Sequence, residues 1–229
     1  MTDDLLHNVF WSALTGPHAH WSAGTAAARR YARGFTPLIA FADMRQPDAQ
    51  ALLPFCEPGE QFYCADWTGA APAGWRVDFD GAMYRMAWDA ELPAEPPGFA
   101  AQALRAQHAD QALQLALLTR PGPFGPRTLE MGDYFGIFEG ERLVAMAGER
   151  AHAPGLREVS GVCTHPDFQG HGLARRLMEL LIRRQLLRGE RPFLHVMTAN
   201  ARAVELYRRM GFAIQRECPI RVVTRTALS

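Results

Sequence analysis

Two glycines, Gly170 and Gly172, lie between an apolar run and the start of helical spacing. Val159, Val162, Cys163 and Thr164 suit a pleated surface, and Pro166 ends that run. Leu173, Leu177, Leu180, Leu181 and Leu187 then fall along one helical face. A helix start carries unpaired backbone N–H groups and the positive end of the macrodipole. Glycines there lack Cβ atoms, so an anion can approach the amides closely. The chemistry implied is phosphate binding at the end of a strand; the plain alternative is a tight turn that binds nothing. Nucleotide loops do not fit. The chain has no lysine for a Gly-Lys-Ser/Thr loop, and the third place of Gly-x-Gly-x-x-Gly is Arg175.

Proton acceptors sit close by in sequence. Glu158 precedes the glycine loop, and its even spacing from Val162 and Thr164 predicts one shared strand face. Glu149 on the preceding strand and His195 on the following one compete with it. Strand-edge charge is the bland alternative for Glu158 and Arg157. Cys163 has no base spaced to activate it as a nucleophile. His165 and His171 read as loop residues beside the glycines. His18 and His20 alternate, which predicts one strand face, but no third ligand sits at metal spacing, so no metal site is expected.

These residues need elements to hold them. From residue 83 onward the order reads β, α, β, β, β, α, β, α, β. The expected strands cover 83–88 (after an Asp80-Gly81 turn), 134–138, 142–148, 157–164, 192–197 and 220–224, with helices over 100–118 and 173–188 and a last helix opened by Thr198-Ala199-Asn200 and ended at Gly211. A proline-rich loop spans 92–98, and a stiff Pro/Gly loop spans 119–126, as pocket wall or connector. Before residue 83 the pattern suggests a helix over 5–14, strands over 36–42 and 61–67, and a helix over 48–55. The expected fold is α/β (α+β), a mixed, mostly antiparallel sheet flanked by helices. A smaller N-terminal α/β domain, 1–82, with no assignable role, would pack beside a catalytic domain, 83–229.

Gln169, Gly172 and Ala174 match Gln/Arg-x-x-Gly-x-Gly/Ala after a strand. Asn200, Ala203, Leu206, Tyr207, Gly211 and Phe212 match Asn-x-x-Ala-x-x-Leu-Tyr-x-x-x-Gly-Phe. In both patterns and their order, residues 83–229 resemble the GNAT superfamily of acyl-CoA-dependent N-acetyltransferases. The resemblance implies acetyl-CoA (coenzyme A) as co-substrate and direct transfer to an amine, on a small molecule or on a protein terminus or side chain. The runner-up is a module that holds acyl-CoA without turnover. The resemblance further implies that Val162, Cys163 and Thr164 contact the pantetheine arm. Gln169, Gly170, His171, Gly172, Leu173, Ala174 and Arg175 would hold the pyrophosphate, and Asn200 would bond the pantetheine chain. Tyr207 would donate a proton to the departing sulfur, and Glu158 would act as general base. An alkyl ammonium has a pKa of about 10.4, so an attacking amine must lose a proton, and a thiolate of pKa about 8.5 needs one.

Composition is consistent with this reading. Charge is balanced, with 24 basic residues, all arginine, and 24 acids, which gives no electrostatic case for nucleic acid or an acidic membrane. The first 14 residues carry early acids and no long apolar run, so neither signal peptide nor membrane anchor is expected. Four cysteines without Cys-x-x-Cys spacing read as buried free thiols in a reducing cytoplasm.

Overall fold

The structure is a computed structural model, and it describes residues 2–94 and 100–227. Helices α1 (Thr2–His7) and α2 (Val9–Thr15) lead into strands β1 (Ser22–Gly24), β2 (Ala28–Tyr31), β3 (Leu38–Phe41), β4 (Gln61–Ala65) and β5 (Trp75–Trp88). A short β6 (Gln102–Ala103) precedes α3 (Ala109–Thr119), β7 (Tyr134–Glu139), β8 (Arg142–Ala153) and β9 (Leu156–Thr164). Helix α4 (Leu173–Leu187), β10 (Arg191–Met197), α5 (Ala201–Met210) and β11 (Phe212–Arg225) complete the order. The eleven strands of the described residues join one sheet in the order β1-β2-β3-β4-β11-β5-β10-β9-β8-β7-β6. Pairing is antiparallel except β3 with β4 and β9 with β10, so the sheet is mixed and mostly antiparallel. The boundary drawn at 82/83 falls inside β5, and strands from both sides of it share the sheet. No described helix is long and apolar enough to cross a membrane.

Side-chain alternation sorts the core onto two faces. On β10, Phe193 packs with α2, while Leu194 and Val196 pack with α4. On β8, Ala145 and Ala147 meet α4, while Met146 meets α3. Helices α2 and α3 therefore cover one face, and α4 and α5 the other.

Several expected elements are corrected. Residues 100–108 are not helical: β6 and a 3₁₀ turn occupy them, and the helix begins at Ala109. Asp80-Gly81 is not a turn, because Arg221 and Ile220 of β11 pair across it in the ladder. The strands expected over 83–88 and 220–224 are the ends of the longer β5 and β11, which form one antiparallel pair. Residues 48–55 give a 3₁₀ helix over Gln50–Phe55, and residues 19–21, between His18 and Ser22, form a 3₁₀ turn instead of a strand. The proline-rich stretch 92–98 lies partly outside the described residues.

A register shift between β8 and β9 shapes this part of the sheet. Gly148 faces Ser160, but Met146 faces Cys163, so β9 carries one extra residue there. Gly161 adopts φ +62°, a left-handed value that favours glycine. This bulge reverses the strand's alternation. Val159 and Val162, three apart, both pack towards α4, while Cys163 turns to the α3 face. Glu158 therefore does not share a face with Val162 and Thr164, which corrects the expectation from even spacing.

Candidate active site

Strands β9 and β10 pair only at Leu156, Arg157 and Glu158. Beyond that point β9 stays on β8 as far as Thr164, and β10 stays on β5 as far as Met197. The two strands part, and the facing edge of β9 has no strand partner. A cavity of about 960 Å³ fills the gap and crosses the sheet. On the α4 side it is lined by Gly170, Gly172, Arg175, Asn200 and Tyr207, and on the α2 side by Phe10, Leu38 and Tyr63. The 119–123 loop also lines it, so that stretch is a pocket wall.

The start of α4 opens to this cavity. Gly170 and Gly172 adopt φ +84° and +72°, and a Cβ built on either meets nothing within 4 Å. The first helical donor is the Arg176 N–H, to the Gly172 carbonyl, so the amides of Leu173, Ala174 and Arg175 have no intrahelical acceptor. Gln169 and His171 are exposed, and the Gln169 amide donates to the Thr164 carbonyl at 3.4 Å. The cradle thus has the donors, the openness and the dipole end that an anion needs.

Helix α5 brings two further residues. Asn200 caps it, its Oδ1 accepting from the Ala203 N–H at 3.2 Å, which leaves its Nδ2 donors for the cavity. Tyr207 sits half-buried against Phe212, and burial pushes its phenol up to about 12. The hydroxyl keeps its proton at neutral pH. Val162, Cys163 and Thr164 line the opposite wall from β9. Burial raises the Cys163 thiol to about 11, so it carries no nucleophilic thiolate.

Both expected carboxylates lie elsewhere. Glu149 faces α4, where the Asp133 N–H and Gln185 Nε2 each donate to it at 3.1 Å and Arg188 pairs with it. Glu158 is wholly buried and does not line the cavity. Arg150 donates to it twice, Nε at 2.9 Å and Nη2 at 2.6 Å, and the Ala151 N–H donates at 3.1 Å. Burial alone would raise its pKa, but the Arg150 guanidinium and the His195 hydrogen bond hold it far below the usual carboxylate range. Glu158, expected as a general base that is partly buried or works through water, thus has its oxygens occupied and stays ionised away from the cavity wall.

His195 does line the cavity. Arg85 Nε donates to its Nε2 at 2.9 Å, and a guanidinium cannot accept, so the ring proton resides on Nδ1, 2.7 Å from Glu158 Oε1. Burial lowers its pKa to about 4. Arg85 also donates to the carbonyls of Leu6 and His7 and pairs with Asp66. A buried chain, Asp66–Arg85–His195–Glu158–Arg150, thus meets the cavity at His195 and Arg150. The sequence reading missed Arg85 and Arg150. Its only available signal was their place within apolar strands, because the partners lie up to 110 residues away.

A family model described as FR47-like protein matches residues 134–220. A crystal structure of a putative acetyltransferase from the GNAT family, from Novosphingobium aromaticivorans, is 33% identical. That match covers 97% of this chain and 99% of that one, with a TM-score of 0.86. A GCN5-related N-acetyltransferase from Kribbella flavida superposes at TM-score 0.62 with 17% identity, over 95% of both chains. A GCN5-related N-acetyltransferase-like protein from Streptococcus suis gives 0.60 with 18%, over 94% of this chain and 92% of that one. At those identities the last two speak for the fold alone. No curated protein matches. The full-length likeness to the first structure, together with the open α4 cradle and the parted β9 and β10, makes this chain a member of the GNAT family of acyltransferases.

Proposed function

We propose that the protein transfers an acetyl group from acetyl-CoA to a primary amine. The observation that carries this reading is the alignment of three features: free amides at the start of α4, an unpaired β9 edge, and a cavity that passes between β9 and β10. In this reading Gln169 to Arg175 hold the pyrophosphate through backbone N–H groups. The free edge of Val162, Cys163 and Thr164 hydrogen-bonds the pantetheine amides as a strand partner would, and the Asn200 Nδ2 adds a donor. Bound acetyl-CoA supplies the thioester that the amine attacks. Tyr207 then gives its proton to the departing sulfur, and burial keeps that proton available at neutral pH.

The amine's own proton has no free acceptor among the described residues lining the cavity. His195 has both nitrogens engaged, and Glu205 is exposed and paired with Arg209. The amine therefore reacts from its neutral fraction and sheds its proton to water. The guanidinium of Arg150 beside the cavity favours that neutral form.

The test combines calorimetry with coenzyme A and free-thiol release from acetyl-CoA across a panel of amines. Binding plus amine-dependent release is expected. Binding with no release under any amine would identify a holding module instead. Tyr207→Phe is expected to lower kcat about a hundredfold with coenzyme A affinity unchanged; an unchanged kcat would remove Tyr207 from the chemistry. Turnover is expected to climb through neutral pH towards the amine's own pKa. A plateau from pH 6 upward would reveal a base in the cavity.

A further inference from the structure

The α2 side of the cavity holds a guanidinium that the transfer step does not consume. Arg150 is buried, stacked over Phe10 at 5.7 Å, and its Nε and Nη2 are committed to Glu158. Its Nη1 donates to no described residue and is not among the sealed polar atoms that lack partners, and Arg150 is one of the residues that line the cavity. A Cβ built on Gly122 would stand 4.0 Å from that Nη1, which places it against the 119–123 wall. From the same loop Arg120 lines the mouth, exposed and with no ion pair among the described residues. Among the described residues the cavity's acidic lining is Glu205 alone, on α5 at the opposite side. Phe10, Leu38 and Tyr63 are among the apolar walls at this end, and Met83 and Ile220, which pack with Tyr63, line the cavity too.

We propose that the Nη1 of Arg150, seconded by Arg120, receives a carboxylate of the acceptor, so that the substrate class is a compact primary amine bearing a carboxylate and an apolar body, as in a free amino acid. This deepens the transferase reading and rests on it for the word acceptor. A guanidinium fixed by Glu158 loses little freedom on meeting a second anion, and a planar donor suits a carboxylate oxygen. The apolar walls then take the side chain. A protein lysine, with no carboxylate near its amine, would leave Nη1 desolvated without a partner, which is costly.

The experiment is calorimetry on the full chain, with and without saturating coenzyme A, using L-leucine, L-leucinamide and isoamylamine, and L-phenylalanine against phenethylamine. The acids are expected to bind roughly tenfold or more tighter than the analogues lacking the carboxylate. In Arg150→Lys, whose single ammonium stays on Glu158, that preference is expected to vanish while coenzyme A affinity holds. Should that variant not fold, Arg120→Gln is read in its place, with a several-fold loss of the preference. Equal affinity for acids and their neutral isosteres in the unaltered protein, or no binding of any acid, overturns the inference. The two readings fail separately. Thiol release that ignores the carboxylate keeps the transferase and loses this inference; selective binding of acids without thiol release does the reverse.

Discussion

A buried carboxylate is a counter-ion before it is a base. Glu158 is wholly buried, holds two Arg150 donors and an amide, and receives the His195 Nδ1 proton at 2.7 Å. Glu158→Gln would leave Arg150 buried without its charge partner, at a cost of about 3–5 kcal/mol. For a chain of this size that is roughly 10 °C in Tm. The pH dependence of the remaining turnover is expected to keep its shape, since Glu158 only positions His195 and Arg150. An unchanged Tm with turnover abolished would restore Glu158 as the base. At this scale the sequence was legible where the determinant was local. Gly172, Asn200 and Tyr207 sit in short patterns whose spacing alone directs them to the helix ends and inner face where the structure has them. The Glu158 environment was not legible, because Arg150 meets it across a strand pair and His195 comes from β10, 37 residues away.

Helix α4 and strand β9 make the cradle as elements, not as single residues. The helix presents free amides because Gly172 caps it in a left-handed conformation with open space around it. Gly172→Ala therefore adds strain without a clash, about 1–2 kcal/mol, and lays a methyl over the amides. Gly189, just past the far end of α4, has φ +73° and equally open surroundings, so Gly189→Ala is the matched control. Both variants are expected to lose similar stability in urea, while Gly172→Ala alone weakens coenzyme A at least about tenfold by calorimetry. Equal affinity in the two variants would mean that the amides hold no phosphate. The strand-to-helix switch at 164–173 was plain in the sequence because the hydrophobic period changes there from two to 3.6. The bulge at Gly161 was not plain. A lone glycine in a strand does not reveal which side takes the extra residue, and one extra residue turns every later side chain over.

Across the whole molecule, the segment with no recognisable motif completes the cavity. Phe10 of α2 stacks on His195 at 5.0 Å, Arg85 ties the end of α1 to the buried chain, and Leu38 and Tyr63 line the cavity from β3 and β4. This joining was invisible in the sequence because β4 reaches the rest through β11, more than 150 residues later. It also makes stability pH-sensitive. Burial lowers His18 from 6.5 to about 3 and His195 from 6.5 to about 4, and His152 shifts the same way. Between 6.5 and about 4 the unfolded chain binds these protons and the folded chain refuses them, so stability rises with pH across that window. It is complete above 6.5 and is lost as pH falls towards 4. Glu158 and Glu60, both depressed, add losses of the same sign only below about 4.5. The histidines therefore govern the upper part. Two of them set a slope of up to about 2.7 kcal/mol per pH unit. Urea unfolding at pH 7, 6 and 5 is expected to show midpoints falling at each step. Among the described residues His18 Nδ1 hydrogen-bonds only the Tyr31 hydroxyl, at 2.9 Å, which glutamine can also bond. His18→Gln should therefore fold and show a visibly shallower fall, whereas a midpoint constant from pH 7 to 5 in the unaltered protein would mean that these rings are not buried neutral.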